Sequence, residues 1–240
     1  MSGQEGMREA EVLARLATVT DPELDEPVTD LGFVEGVSVG ADGAVAIDFR
    51  LPTFWCAANF AYMMAEDMRD AVAALPWVTG VVPRLQAHMC AEQVNRGVAE
   101  GLEFGAAFGE AGEDDSLADL RATFLRKAFQ GRQEALLRAL LAQGLGKGAL
   151  AAMTLAALEG TAVAGPEGAR LKCRYLEMRA RVGGPAGSGD RAFVTADGAP
   201  INAACFDEHL RTLGSVRIAM EFNGALCRGL LAARERASGG

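Results

Sequence analysis

Phe33-Val34-Glu35-Gly36-Val37-Ser38-Val39 and Ala44-Val45-Ala46-Ile47-Asp48-Phe49-Arg50-Leu51 are two β-prone runs separated by Gly40-Ala41-Asp42-Gly43. Side chains alternate between faces along a strand, and an Asp-Gly pair suits a tight turn, so this stretch predicts a β-hairpin. Upstream, Val12, Leu13, Leu16 and Val19 share one helical face, which predicts a helix over residues 9–19. It should stop before Asp21-Pro22, because proline disfavours helical geometry in the residue before it. Downstream, Phe60, Met63, Met64, Met68, Val72 and Leu75 recur at near-helical spacing over residues 57–75, and a third strand is expected over 78–85. The three methionines read as core packing. The order α-β-β-α-β describes a small layer of helices against one sheet face.

From residue 101 the chain turns rich in Gly, Ala and acidic residues, with Gly109-Glu110-Ala111-Gly112-Glu113-Asp114-Asp115 as the clearest linker. Beyond it, residues 117–143 form a long amphipathic pattern carrying Arg121, Arg126, Lys127, Arg132 and Arg138, and 149–158 reads as a further helix. Residues 183–191 predict a flexible loop, and the residues around Asp197-Gly198 suit a short hairpin. A last helix is expected from about 205 to 236, with Gly214 as a candidate break. The fold class is therefore α+β: a small α-β-β-α-β domain in residues 1–108, then a mainly helical region in 117–240.

At 240 residues and half hydrophobic, the chain can bury a substantial core. No apolar run is long enough to span a membrane and the first residues do not read as a signal peptide, so a cytoplasmic location without membrane association is expected. A net charge of −9 argues against nucleic acid as a partner. Five cysteines, an odd number in a chain of this size, point to reduced thiols and not to a disulfide framework.

Cys56 is the leading functional candidate, because a thiol between a strand and a helix N-terminus has its anionic form favoured, and the thiolate is what binds metal or attacks. His88 and Cys90, two residues apart at the end of the third strand, add an imidazole and a second soft donor. With Cys56 they make three ligands and an open fourth position, suited to iron, zinc or a transferable cluster. The competing reading is Cys90 as a small buried hydrophobe and His88 as a hydrogen-bonded surface residue. Cys173, Cys205 and Cys227 are widely separated and read as buried structural thiols; Cys205 with His209 has i, i+4 spacing, a weak metal signal. No Walker A loop, GxSxG elbow or Rossmann fingerprint is present.

Thr20-Asp21-Pro22-Glu23-Leu24, Val28-Thr29-Asp30-Leu31-Gly32-Phe33-Val34, the hairpin, Leu51-Pro52-Thr53 with Cys56 behind it, and Leu75-Pro76-Trp77-Val78 follow one another in order. Over about residues 9–98 this resembles the metal-sulfur cluster assembly factors, the PaaD-like and SufT-like family catalogued as domain of unknown function number fifty-nine. The resemblance implies a non-enzymatic iron-sulfur maturation factor that transiently holds iron or a cluster and works with a client metalloprotein and the assembly machinery. Homodimerisation is compatible with it. Asp21, Glu23, Asp30 and Thr53 match family motif positions, although proline here precedes Thr53 where the family places it after. His88-Met89-Cys90 marks a subgroup associated with bacterial diiron monooxygenases. Two alternatives stay open: a metal-free adaptor or chaperone for a monooxygenase subunit, and an enzyme with Cys56 as nucleophile and His88 as base.

Overall fold

The computed structural model describes residues 3–109 and 117–238. The expected linker lies outside them except for Gly109, which ends a short helix with a φ of 77°. The described residues up to Arg121, together with those from Asn223 onward, form one compact unit, and Ala122–Phe222 form a second.

In the first unit, helix α1 (Gly3–Leu16) buries Val12 and Leu16, whereas Leu13, assigned to the same face by spacing, is 40% exposed. The predicted hairpin is present as β1 (Val34–Val39) and β2 (Ala44–Phe49), antiparallel with a register shift between Val34 and Gly36. Gly43 is the residue the turn depends on: its φ is 88°, and a Cβ there would meet the Trp77 carbonyl oxygen at 2.5 Å. Helix α2 (Ala58–Ala73) crosses to β3 (Gly80–Leu85), which pairs parallel with β2. The sheet order is β1-β2-β3, so Pro83 lies on an edge strand, where its missing N–H is tolerated. Val45, Ile47 and Phe49 alternate into the core against Tyr62, Met64, Met68 and Val72 of α2, and the methionines pack as expected.

Sequence periodicity missed α3 (Ala91–Glu100), which buries only Val94, Gly97 and Val98 and so carries a weak apolar stripe. Gly97 lets it approach closely, since a Cβ there would fall 2.5 Å from that of Ala107 and 2.8 Å from the Tyr62 hydroxyl. Ala107 belongs to the short α4 (Phe104–Phe108).

Helix α5 (Ala118–Ala142) begins in the first unit and continues into the second. There the helix expected over 149–158 is two, α6 (Lys147–Ala152) and α7 (Leu155–Gly160), because Thr154 caps the second by accepting a hydrogen bond from the Ala157 amide. Helix α8 (Gly168–Arg179) places Tyr175 between Phe129 and Phe193, with ring centroids 5.8 and 5.4 Å away. The predicted short hairpin is reduced to a single antiparallel bridge between Val194 and Pro200. Helix α9 (Phe206–Ser238) runs unbroken through Gly214, following a 3₁₀ turn at Ala203–Cys205.

The segment from 183 to 191 is wrapped around Arg179, whose buried guanidinium donates to the carbonyls of Gly184 (3.1 Å), Pro185 (2.7 Å) and Arg191 (3.1 Å). A lysine cannot reproduce that fork. Arg179→Lys is expected to destabilise the second unit by about 3 kcal/mol, read by urea unfolding, with faster amide exchange in residues 183–191.

Candidate functional site

The parallel β2–β3 pair ends with Phe49 opposite Leu85, and the Gln86 amide continues it by donating to the Phe49 carbonyl at 2.8 Å. The loops that follow the two strands therefore leave the sheet at the same edge. The first carries Thr53 and Cys56; the second carries His88 and Cys90.

Cys56 precedes Ala57, the N-cap of α2, and no side chain caps that helix. Its half-buried sulfur accepts from the Thr53 amide at 3.4 Å and pairs with the Thr53 hydroxyl at 3.1 Å. The motif threonine thus holds the thiol inside its own turn. Met89 of the second loop donates its amide to the Phe54 carbonyl at 2.8 Å, and Phe54, Trp55 and Met89 are 52%, 72% and 58% exposed. An apolar lip so flanks the thiol, with Trp55 directed to solvent.

His88 is only 6% exposed and both its ring nitrogens are engaged. Nδ1 accepts from the Cys90 amide at 3.1 Å, which leaves the proton on Nε2, and Nε2 donates to the carbonyl oxygen of Cys56 at 2.8 Å. The imidazole is a clip between the two loops. Burial lowers its pKa below the ordinary value of 6.5; the Cys56 hydrogen bond opposes that, and nearby Arg234 reinforces it. Ala87, just before it, has a φ of 46°, a costly conformation for a residue with a Cβ, and this kink turns the chain into the His88 loop. Cys90 is half-buried, packs against the core and stands at the N-cap of α3. Among the described residues, no three His, Cys, Asp or Glu side chains converge on a metal-sized position.

The motif acids divide. Asp21 is buried, and its Oδ1 accepts from the amides of Glu23 and Leu24, each at 2.9 Å, so it shapes the corner. Burial pushes its pKa up from 3.8 to about 6 against those two hydrogen bonds. Glu23 accepts from the Asn223 side chain at 3.1 Å. Asp30 is exposed and its carboxylate accepts from the neighbouring Thr29 hydroxyl at 3.4 Å.

Cys227, on α9, was missed as a site residue and belongs with this group. Burial, then the charges of Asp21, Cys56 and Glu23, push its thiol up to about 11. Only tertiary packing brings it there, 171 residues beyond Cys56 in sequence. The expectation of buried structural thiols fails for Cys173 and Cys205, both exposed. His209 donates to the Gln133 side chain at 3.0 Å, because the Gln133 amide nitrogen is itself committed to the Val194 carbonyl.

The profile of the iron-sulfur cluster assembly proteins matches residues 9–82. A Porphyromonas gingivalis Fe-S protein maturation auxiliary factor is 40% identical over 74 residues, which cover 30% of this chain and 68% of the relative. The chain belongs to the iron-sulfur cluster assembly family. Iron-sulfur cluster carrier proteins of Mycobacterium bovis and Mycobacterium tuberculosis are 34% identical over 82 residues, covering 34% of this chain and about a fifth (21%) of theirs. No solved structure matches the chain. The family match includes Asp21, Thr53 and Cys56 and ends before His88, Cys90 and Cys227.

Two pH effects of opposite sign follow. Unfolded Asp21 ionises near 3.8 and the folded group near 6, so its contribution to stability falls by about 3 kcal/mol as pH rises between those values. Asp21→Asn keeps the acceptor oxygen and removes the titration; relative to the natural protein it should gain stability steadily from pH 4 to 6 in urea titrations. For His88 the unfolded state takes up a proton near 6.5 while the folded state resists, so stability is lost as pH drops below that value. Nitrogen-15 NMR should find His88 protonated at Nε2, with a midpoint below 6.5.

Proposed function

We propose that this chain is a maturation factor that transiently holds iron or an iron-sulfur unit on Cys56 and delivers it to a client metalloprotein. The observation that carries the reading is the Cys56 thiol itself. It lies inside the family match, in a turn closed by Thr53, just before an uncapped helix and next in the chain to the exposed Phe54 and Trp55. Soft sulfur suits iron and clusters. The names of the similar proteins, a maturation auxiliary factor and cluster carriers, support the same direction.

The donor arrangement explains why the cargo would be held briefly. With no group of three donors gathered among the described residues, Cys56 would hold iron weakly, so the remaining coordination comes from sulfide, a second copy of the chain or the client. Zinc, which favours four gathered protein ligands, suits this arrangement less well. Phe54, Trp55 and Met89 offer the client an aromatic and thioether contact of the kind that dominates protein interfaces. A bacterial diiron monooxygenase is the client class that the family resemblance implies, with the cytoplasm as the place of delivery. The reading is of a carrier and not of an enzyme: both nitrogens of His88 are bonded to backbone groups, so neither is left to take the Cys56 proton.

The engagement of His88 and the lack of a gathered donor set among the described residues favour a second reading, a metal-free adaptor that grips the client through the same apolar lip. Anaerobic reconstitution separates the two. In the carrier reading the natural protein takes up iron and sulfide, Cys56→Ser loses at least tenfold of it, and His88→Ala loses a smaller part by loosening the clip. A natural protein that takes up no metal yet binds the apo-client would establish the adaptor.

A further inference from the structure

Beyond the family match, the end of α9 belongs to the first unit and docks at the roots of the Cys56 and His88 loops. In the last turns of α9, Asn223, Cys227, Leu231 and Arg234 follow one another at spacings of four, four and three residues and so share one helical face. That face is docked in the first unit. Asn223 donates to Glu23 at 3.1 Å, and Arg228, beside the stripe, donates to Glu26 at 2.5 Å. Leu231 is buried in the first core, where a Cβ on Gly32 would lie 3.5 Å from its Cδ2. Arg234 donates to the carbonyls of Leu51 (2.6 Å) and Ala87 (2.5 Å), the residues from which the Cys56 and His88 loops depart. One helical segment thus touches the Asp-Pro-Glu corner and both loop roots, with Cys227 between these contacts.

We infer that residues 223–234 are a self-docked latch over the Cys56 face, which a client or assembly partner must displace to reach the thiol. The contacts suit a cover that comes off. Leu231 is the one side chain of the segment in the buried core cluster; Cys227 packs partly buried against that core, Leu226 and Leu230 are exposed, the docked Asn223, Arg228 and Arg234 are half-buried or exposed, and the Arg228–Glu26 pair is accessible on both sides. Exposed ion pairs hold weakly, while the covalent tether keeps the local concentration of the segment high. The resulting equilibrium is between a covered thiol and an open one, and a ligand that binds only the open form shifts it. The proposal adds a means of regulation to the carrier reading and rests on that reading only for its purpose.

The test follows iodoacetamide alkylation of Cys56 by peptide mapping and amide exchange in the full chain, so its outcome does not depend on whether Cys56 carries iron. Combining Leu231→Asp with Arg234→Ala should free amides 223–234 and speed Cys56 alkylation at least tenfold while β2 stays protected; Leu231→Met should leave both unchanged. Release of the segment with no change in the Cys56 rate, or a segment that stays protected in the double variant, overturns the latch. Should the double variant also lose β2 protection, the milder Arg228→Glu decides, with a roughly threefold faster rate expected and an unchanged rate overturning the proposal. Restoration of slow alkylation on adding Glu26→Arg to Arg228→Glu would assign the effect to the docked pair.

Discussion

The parallel pairing of β2 with β3 is the constraint on which the rest of the first unit depends. An antiparallel return would send the loop after β3 to the opposite end of the sheet from the loop after β2. Parallel strands end on the same edge, and α2 supplies the crossover such a pair requires. Everything at the site follows from that edge: the Cys56 turn, the kink at Ala87 and the imidazole that spans the two loops. The apolar side of β2, with Ile47 and Phe49 fully buried, anchors the edge, so the loops are precise although irregular.

Within the site, polar groups are used for shape. Asp21 caps its own corner, Thr53 holds the sulfur, and His88 satisfies a carbonyl and an amide that would otherwise be left unpaired between the loops. A buried imidazole with both nitrogens committed is a structural element of the two loops. The lip of Phe54, Trp55 and Met89 remains apolar and open, in contrast to the fully packed methionines of α2 a few residues further on. The same residue type is core in one place and surface in the other because the alternation of helix faces hides Met63, Met64 and Met68 while the loop presents Met89.

The second unit is built differently. An aromatic ladder of Phe129, Tyr175 and Phe193 and the forked donors of Arg179 hold a long irregular stretch in place. Glu134, fully buried, lies between Arg138 and Arg217, the latter at 2.7 Å, so charge as well as apolar packing organises this interior. Removing both arginines would leave the Glu134 carboxylate alone in a medium that solvates charge poorly.

How much of this was legible in sequence can be seen residue by residue. The hairpin, α2, β3 and the long α5 were readable because a buried face imposes a period of two or near 3.6 on the chain, and the family motif was readable because its corner, strand and loop residues stand in order. Helix α3 was not, having too few apolar residues to show a period, and the split between α6 and α7 turned on a single capping threonine. Cys56 and Thr53 were singled out by the motif, and the hydrogen bond between them, local to one turn, was seen only in the structure. What His88 does could not, since spacing shows which donors are near in sequence but not which backbone groups their nitrogens meet. The place of Cys227, Leu231 and Arg234 was decided by tertiary structure alone: a helix face records that something will cover it, and only the folded chain determines which surface that is.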